Sequence, residues 1–269
     1  MASNELHETA RALVADNKGI LAADESSGTI KKRFDSIELE STEENRRAYR
    51  DMLFTTPDLE QFVSGVILFD ETIRQSSADG TPFPQLLAGK GIIPGIKVDT
   101  GAKDLAGAPG EKVTEGLDGL RDRLEEYVGL GARFAKWRAV ITIGDGIPTS
   151  YCIHTNAHAL ARYAALCQEQ GLVPIVEPEV LMDGPHPIER CYEVTERALR
   201  RLFAELYAQR VPLEQTILKP NMVVSGTEGP RQAGVREVAE QTLRCFRQSV
   251  PETTMFGFRI VCSSGTRWA

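Results

Sequence analysis

The feature that most constrains the fold is a repeated alternation of short apolar runs with longer amphipathic stretches. The apolar runs lie at Gly19–Glu25, Val63–Ile73, Ile92–Asp99, Arg133–Val140, Leu172–Glu179 and Thr216–Val223, with a weaker seventh at Phe258–Ser263. Nearly continuous apolar runs are typical of parallel strands that are buried on both faces. Helical stretches between such strands indicate right-handed βαβ crossovers, so the pattern predicts an α/β protein with a parallel sheet.

The stretches between the runs predict helices at Thr114–Leu130, with Thr114 as N-cap, and at Asn156–Gln170, Pro187–Arg210 and Arg231–Gln248. No GxGxxG or GxxxxGK[ST] string follows any apolar run, which disfavours an open nucleotide-binding sheet. No linker or break in composition divides the chain. We therefore predict a single domain over residues 1–269 with a (β/α)8 TIM-barrel type of fold.

Composition narrows the classes of partner. With 42% hydrophobic and 26% charged residues the chain is typical of a globular protein and not of a disordered one. A net charge of −7 disfavours a nucleic-acid partner, and no apolar run approaches the roughly 20 residues of a membrane helix. The five cysteines form no CxxC pair, and Met1–Ala10 does not resemble a secretory leader. We expect a cytoplasmic protein with free thiols and no membrane partner.

Charged residues interrupt the apolar runs near their ends. They are Asp24, Lys97, Lys136, Glu177, Glu179 and Lys219. Burying such groups is unfavourable unless they are paired. Taken singly, Asp24 is also a candidate N-cap for a helix over Ser26–Phe34, Glu177 and Glu179 fit a solvated turn, and a strand-end lysine fits the surface. In a parallel barrel the carboxyl ends of the strands share one face, so we expect one mixed cluster there.

Such a cluster indicates a particular chemistry. A lysine in an apolar pocket near other cations loses its proton more readily and attacks a carbonyl to form a Schiff base. Carboxylates beside it shuttle protons, and the remaining cations bind anionic groups such as phosphates. His154 and His158 are spaced i, i+4 but lack the glutamate of an HExxH site. We therefore expect no metal and no cofactor.

Several strings resemble the motifs of class I fructose-bisphosphate aldolases, in the order of that family. They are GILAADESSGTI, VILFDETI, GIKVD, FAKWR, ARYA, VPIVEPEVL and LKPNMV, between about Glu5 and about Pro251. The resemblance implies a (β/α)8 barrel that reversibly splits fructose 1,6-bisphosphate into dihydroxyacetone phosphate and glyceraldehyde 3-phosphate, in glycolysis and gluconeogenesis. It also implies a small phosphorylated sugar as the substrate and a homotetramer as the usual assembly.

The resemblance also implies roles for individual residues. Lys219 is the expected Schiff-base lysine, Glu177 the general acid and base, and Lys136 a proton-transfer partner that stabilises developing charge. Asp24 is expected to orient groups at the Schiff base and to assist cleavage of the carbon–carbon bond. The other expected members of the site are Arg138 and Glu179 in the charge network, and Lys97, Ser26, Thr29, Arg33 and Arg46 near the substrate phosphates.

After Pro251 the sequence matches the family poorly. The family continues with a Leu-Ser-Gly-Gly phosphate loop, an eighth strand that bears a phosphate-binding arginine, and a flexible tail. Ser264 and Gly265 are candidates to replace part of that loop, and residues 251–269 form a divergent segment. We expect the eighth βα unit to be absent, the first and seventh strands to have unpaired edges, and stability and activity to be low. A non-catalytic remnant and another lysine-dependent sugar-phosphate lyase stay open as alternatives.

Overall fold

A computed structural model of the chain describes residues 2–256 and 260–262, and they form one main parallel sheet. Its strands are β1 (Gly19–Ala22), β2 (Val63–Leu68), β3 (Ile93–Lys97), β6 (Phe134–Ile141), β7 (Val173–Val180), β8 (Ile217–Leu218), β9 (Met255–Phe256) and β10 (Ile260–Cys262). They run in the order β10-β1-β2-β3-β6-β7-β8-β9, and every neighbouring pair is parallel. Each of the six stronger apolar runs coincides with one of these strands to within a few residues, which confirms the predicted α/β class.

A small antiparallel hairpin stands apart from the main sheet. It joins β4 (Gly101–Asp104) to β5 (Lys112–Glu115), and Gly101 pairs with Glu115. The prediction of a helix that starts at Thr114 was therefore wrong over residues 114–119, and Thr114 lies in a strand and is not an N-cap. The chain turns through Gly116 and Gly119, whose φ angles of 127° and 63° suit a residue without a side chain, and the helix begins only afterwards.

Helices cover the outside of the sheet. They are α1 (Ala2–Leu13), α2 (Ser27–Asp35), α3 (Glu43–Thr55), α4 (Leu59–Phe62), α5 (Asp70–Ile73), α6 (Phe83–Gly89), α7 (Leu120–Gly129), α8 (Ser150–Glu169), α9 (Ile188–Ala208) and α10 (Val235–Ser249), with a 3-10 turn at Leu213–Gln215. Three predicted helices are confirmed with shifted boundaries, as α8, α9 and α10. Their predicted ranges were Asn156–Gln170, Pro187–Arg210 and Arg231–Gln248. No helix in the described part of the chain combines the length and the apolarity needed to cross a membrane.

Two apolar layers hold the sheet in place. The larger layer lies between the sheet and the helices and contains outward-facing residues such as Trp137 and Val176. The smaller layer lies inside the curled sheet and brings together residues of five strands. Its strand members are Ile20, Ala22, Ile67, Phe134, Val173, Ile175 and Ile217. Because strands that are not neighbours share this inner layer, the sheet must curl around it, as in a (β/α) barrel.

Phe134 is the largest side chain of the inner layer, and the neighbouring strand makes room for it. A Cβ atom on Gly95 would lie 2.3 Å from the Phe134 ring, so only glycine fits there without a shift. Leu6, Ala10 and Leu13 of α1 complete the layer from below. One end of the barrel interior is therefore filled with apolar side chains.

The C-terminal part of the sheet differs from expectation. One weak seventh strand was predicted over Phe258–Ser263, whereas two short strands, β9 and β10, lie on opposite edges and are separated by residues 257–259. Since β10 pairs in parallel with β1, with Ile20 beside Ile260, the expectation of an unpaired edge on the first strand was wrong. Strand β8 is shorter than predicted because Pro220, two residues beyond its end, has no N–H to continue the ladder.

Candidate active site

Four buried or half-buried charged side chains form a continuous chain across the inside of the barrel. The Lys219 ammonium donates to Glu177 Oε1, and Glu177 Oε2 lies 3.3 Å from Lys136 Nζ. Lys136 Nζ in turn donates to Asp24 Oδ2 at 2.9 Å. Positive and negative charges therefore alternate in space, in the order Lys219, Glu177, Lys136 and Asp24. The structure brings together the four residues with predicted catalytic roles.

Strand periodicity explains why these groups meet. Side chains two residues apart on a strand share a face. Phe134 and Ile175 lie in the inner apolar layer, so Lys136 and Glu177, two residues further along β6 and β7, also point inward. Asp24 stands in the same relation to Ala22, and Lys219 to Ile217. The charged cluster therefore lies directly above the apolar layer, toward the carboxyl ends of the strands.

Asp24 and Lys136 belong to strands that are far apart in the sheet. Strands β2 and β3 separate β1 from β6, yet the two side chains form a hydrogen-bonded ion pair. This contact spans the interior, as expected for a curled sheet. Asp24 therefore does not act as an N-cap: Ser26 holds the N-cap position of α2 and makes no side-chain capping bond.

The cluster stabilises the charged form of its buried members. Burial raises the pKa of Glu177, but Lys136 and Lys219 more than offset it and leave this pKa below its ordinary value. Burial likewise raises the pKa of Asp24, and the attraction of Lys136 and then Lys97 holds it below its usual range. For Lys136, burial lowers the pKa while Asp24 and Glu177 raise it above the ordinary value. All three groups are therefore ionised near neutral pH.

The four side chains of this charged cluster differ in their exposure to solvent. The side chain of Lys219 is 18% exposed, whereas that of Glu177 is only 3% exposed. Lys219 also follows β8 directly, and its backbone N–H donates to Val176 O at 2.9 Å, which fixes the base of the side chain against β7. The amine is therefore the member of the chain that a ligand reaches most easily.

A second group of charges borders the first. Lys97 Nζ lies 2.8 Å from Asp99 Oδ1, and Asp99 Oδ2 accepts the backbone N–H of Arg138 at 3.3 Å. The guanidinium of Arg138 binds Glu179. Lys97 and Lys136 are direct partners in the register of β3 and β6, and Arg138 is the partner of Glu177 in the register of β6 and β7. The predicted residues Lys97, Arg138 and Glu179 therefore lie along the edge of the cluster.

Asp99 belongs to this group but was missed as a site residue. It is buried, and it also accepts the backbone N–H of Gly101 at 3.1 Å, so it joins the end of β3 to the hairpin. The sequence pattern that indicated the other site residues could also have indicated Asp99. A carboxylate that directly follows an apolar run, as in GIKVD, lies at the carboxyl end of a strand.

The remaining predicted phosphate ligands lie on the helices that follow β1. The hydroxyls of Ser26 and Thr29 are 3.1 Å apart at the start of α2. Arg33, later in α2, forms an ion pair with Glu25, and Arg46 of α3 makes a two-bonded contact with Glu71, with distances of 2.8 and 2.6 Å. Both arginines thus bind carboxylates of this chain. Ser264 and Gly265 lie outside the described residues.

The histidine pair makes no recognisable metal site. His158 Nδ1 lies 3.0 Å from Glu205 Oε2, and His154 contacts the guanidinium of Arg201. Across residues 2–256 and 260–262, no group of histidine, cysteine, aspartate and glutamate side chains is arranged to hold a metal ion. The thiols of Cys152, Cys167, Cys191 and Cys245 are free and buried, and burial raises the pKa of Cys152 to about 11.

Known proteins have sequences that are closely related to this chain. A "probable fructose-bisphosphate aldolase class 1" of Xanthomonas campestris is 66% identical over 251 residues, which cover 93% of this chain and 75% of that protein. "Fructose-bisphosphate aldolase 6, cytosolic" of Arabidopsis thaliana is 54% identical over 249 residues, 93% of this chain and 69% of the plant protein. The chain thus spans about three quarters of the first relative's length.

Solved structures and a family model agree with these relatives. The fructose-bisphosphate aldolase of Plasmodium falciparum, solved in complex with TRAP and a small-molecule inhibitor, superposes with a TM-score of 0.92 at 50% identity. That comparison covers 95% of this chain and 75% of the other. The model of the fructose-bisphosphate aldolase class-I family matches residues 5–267. The chain belongs to the class I fructose-bisphosphate aldolase family.

Proposed function

We propose that this chain cleaves fructose 1,6-bisphosphate reversibly into dihydroxyacetone phosphate and glyceraldehyde 3-phosphate, through a Schiff base on Lys219. Family membership supports the substrate. The observation that carries the chemistry is the contact between the Lys219 ammonium and Glu177, a buried carboxylate that faces Lys136 on its other side. An amine beside a proton acceptor is the arrangement that imine formation needs.

The first half of the reaction forms the iminium ion. Glu177 accepts a proton from the Lys219 ammonium, and the free amine attacks the ketone carbon of the substrate to give a carbinolamine. Glu177 then returns the proton to the carbinolamine hydroxyl, which leaves as water. The carboxylate is regenerated and the positive charge stays on the iminium nitrogen. Lys136, 3.3 Å from the second oxygen of Glu177, favours the return of Glu177 to its charged form at the end of this sequence.

The second half breaks the bond between the third and fourth carbons. A carboxylate of the cluster takes the proton of the hydroxyl on the fourth carbon, and the bonding pair moves to the iminium to form an enamine. The aldehyde product leaves. Protonation of the enamine at the third carbon and addition of water to the iminium release dihydroxyacetone phosphate and the Lys219 amine. We assign to Asp24, which is hydrogen-bonded to Lys136, the role of orienting this step.

Cations at the rim of the cluster would bind the two phosphates. Lys97 and Arg138 border the buried chain, and Arg33 and Arg46 lie on the helices that follow β1. Each of them is now neutralised by a carboxylate of the protein. A phosphate would share or displace that carboxylate, and guanidinium groups favour such exchange because they bind oxyanions through two parallel hydrogen bonds.

A cleavage assay tests the substrate directly. Three substrates are tested separately: dihydroxyacetone phosphate released from fructose 1,6-bisphosphate or fructose 1-phosphate is coupled to NADH oxidation, and so is pyruvate released from a 2-keto-3-deoxy sugar phosphate. We expect the bisphosphate to have the highest kcat/KM, and EDTA to have no effect. A preference for the keto-deoxy sugar would favour another lysine-dependent lyase, and a folded chain without any lyase activity would favour a non-catalytic role.

We also propose that the protein assembles as a homotetramer and acts in the cytoplasm. The family resemblance supports the assembly, and the printed name of the Arabidopsis relative describes that protein as cytosolic. Light scattering of the purified protein should give about four times the 29.6 kDa mass of the chain. A mass of one chain at working concentration would contradict the proposed assembly.

A further inference from the structure

Arg50 lies on α3, outside the sheet, yet its guanidinium reaches the loop that follows β1. The residue is 2% exposed. Its Nε donates to the backbone carbonyl of Ala23 at 2.9 Å, and its Nη2 donates to the backbone carbonyl of Glu25 at 3.2 Å. These two carbonyls flank Asp24 in the chain. One side chain therefore binds the backbone carbonyls of the residues immediately before and after Asp24, whose carboxylate binds Lys136.

Other contacts fix both ends of this arrangement. Arg50 Nη2 lies 2.8 Å from Glu25 Oε2, and the Arg50 guanidinium stands 5.1 Å from the ring centre of Tyr49. On the opposite side, the backbone N–H of Ala23 donates to Ile67 O of β2 at 3.1 Å. Residues 23–25 are thus held between β2 and α3, and Asp24 has little freedom to move along or across the barrel.

Placing a guanidinium in this position is unfavourable in itself. Burial lowers the pKa of Arg50, and the attraction of Glu25 opposes that shift only in part. A buried charge of this kind is rare unless it makes several specific bonds. Arginine satisfies that condition because its rigid fork donates to separate acceptors, whereas lysine offers one point charge. The guanidinium of Arg50 makes its hydrogen bonds and its ion pair with Ala23 and Glu25, the residues on either side of Asp24.

We propose that Arg50 is a positioning residue that fixes Asp24 opposite Lys136 and so sets the rate of carbon–carbon bond cleavage. This proposal rests on the proposed function, since it assigns Arg50 an effect on the same reaction. Arg50 acts through Asp24 and is not itself expected to touch the substrate. A displacement of about 1 Å in a catalytic group lowers turnover by roughly 100-fold, so a loosened loop is expected to reduce kcat strongly.

The first test compares R50K with R47K. Arg47 lies on the same helix, binds Glu44 at 2.8 Å and donates to Ser76 O at 3.3 Å, and has no place in the proposed site. We expect R50K to lower kcat by about 10- to 100-fold while KM changes less than about threefold. R47K should leave both constants close to those of the unmodified protein. Equal constants for R50K and R47K would overturn the proposal.

A double-mutant cycle separates positioning from a general loss of structure. If Arg50 acts through Asp24, R50K should reduce kcat by less than about threefold in a D24N background, where there is no carboxylate left to position. A merely structural role would lower kcat by the same factor in both backgrounds, and that outcome would also overturn the proposal. Thermal unfolding of each variant confirms that the comparison is made on folded protein.

A milder variant covers the case in which R50K does not fold. E25Q removes the charge that holds Arg50 but retains the backbone carbonyl of residue 25. We expect kcat to fall by about threefold or more in E25Q and to be unchanged between D24N and D24N/E25Q. An equal fall in both backgrounds would contradict positioning. Absence of bisphosphate cleavage by the unmodified protein would instead reject the proposed function, so the two failures are distinguishable.

Discussion

The two ends of the barrel interior are built on the same strands and differ completely in chemistry. At one end, Ile20, Phe134 and Ile175 pack with α1 in an apolar layer. Two to four residues further along the same strands, Asp24, Lys136 and Glu177 form a buried chain of ion pairs. The side chains of the apolar layer cannot donate or accept protons. The charged layer is poorly suited to stabilise a fold, because desolvation offsets much of the attraction in buried ion pairs.

This contrast indicates that the two ends of the same strands have different roles, one in folding stability and the other in the proposed reaction. The apolar end supplies free energy of folding and fixes the positions of the strands. The charged end depends on those strand positions, which hold four charged groups so that each forms an ion pair with the next. Substitutions at the charged end should therefore lower mainly kcat, whereas substitutions at the apolar end should lower mainly the free energy of unfolding.

The largest expected effect is on turnover, at the charged end. Lys219→Arg retains a positive charge beside Glu177 but has no amine that can form an imine. We expect kcat for bisphosphate cleavage to fall on the order of 10⁴-fold or more, with a small change in thermal unfolding temperature. Lys103→Arg, at an exposed position of the hairpin, is the matched control and should be fully active. Comparable activity in Lys219→Arg and the control would break the assignment of the nucleophile.

The next effect is on stability, at the apolar end. Phe134→Ala removes the largest side chain of the inner layer and leaves a cavity beside Gly95. We expect the free energy of unfolding to fall by about 3–5 kcal/mol, measured by urea denaturation. Phe62→Ala, at a side chain that is 67% exposed, should change it by less than about 0.5 kcal/mol. If both variants unfold at the same urea concentration, the inner layer does not make the proposed contribution to the free energy of unfolding.

Glu177→Gln tests the proton acceptor. The amide keeps the shape of the side chain but cannot accept a proton from Lys219, so kcat should fall by about 100- to 1,000-fold. Glu214→Gln, an exposed residue near β8, serves as the control. Retention of more than half of the activity in Glu177→Gln would show that another group performs the proton transfers.

The smallest effect concerns acid stability. Since the pKa values of Asp24 and Glu177 are lowered in the folded protein, their contribution to stability is present above their unfolded values near 4 and is lost as the pH falls through the folded values. The free energy of unfolding should therefore drop as the pH falls from about 5 to about 3. Asp24→Asn should flatten this dependence, whereas Asp35→Asn, at an exposed aspartate, should not. Parallel curves for all three proteins would contradict the sign of the shift.

Most of the sheet could be predicted because strands that are buried on both faces consist of nearly continuous apolar runs, which are visible in the sequence. Strands β2, β6 and β7 are long apolar runs, and each appears where the pattern indicates. The hairpin β4–β5 was missed because its residues are largely exposed and polar, so no apolar period marks it. Its place depends on tertiary contacts such as Asn156 Nδ2, which donates to Lys112 O at 2.8 Å.

The site could be predicted to different depths. Charged residues at the ends of apolar runs indicate a shared face, and Lys136, Glu177 and Lys219 do meet there. Their connectivity could not be predicted, because the contact of Lys136 with Asp24 depends on how far the sheet curls. Arg50 carries no signal at all: it sits among charged residues of a helix, and only the path of the loop after β1 shows that it is buried.

The most direct test of the central claim is to trap the covalent intermediate and to locate it. The protein is mixed with dihydroxyacetone phosphate, reduced with borohydride, digested, and mapped by mass spectrometry. Reduction should fix one substrate-derived adduct on Lys219 and none on Lys136 or Lys97, and Lys219→Arg should abolish it. An adduct of equal yield in Lys219→Arg, or one located on another lysine of the unmodified protein, would contradict the account.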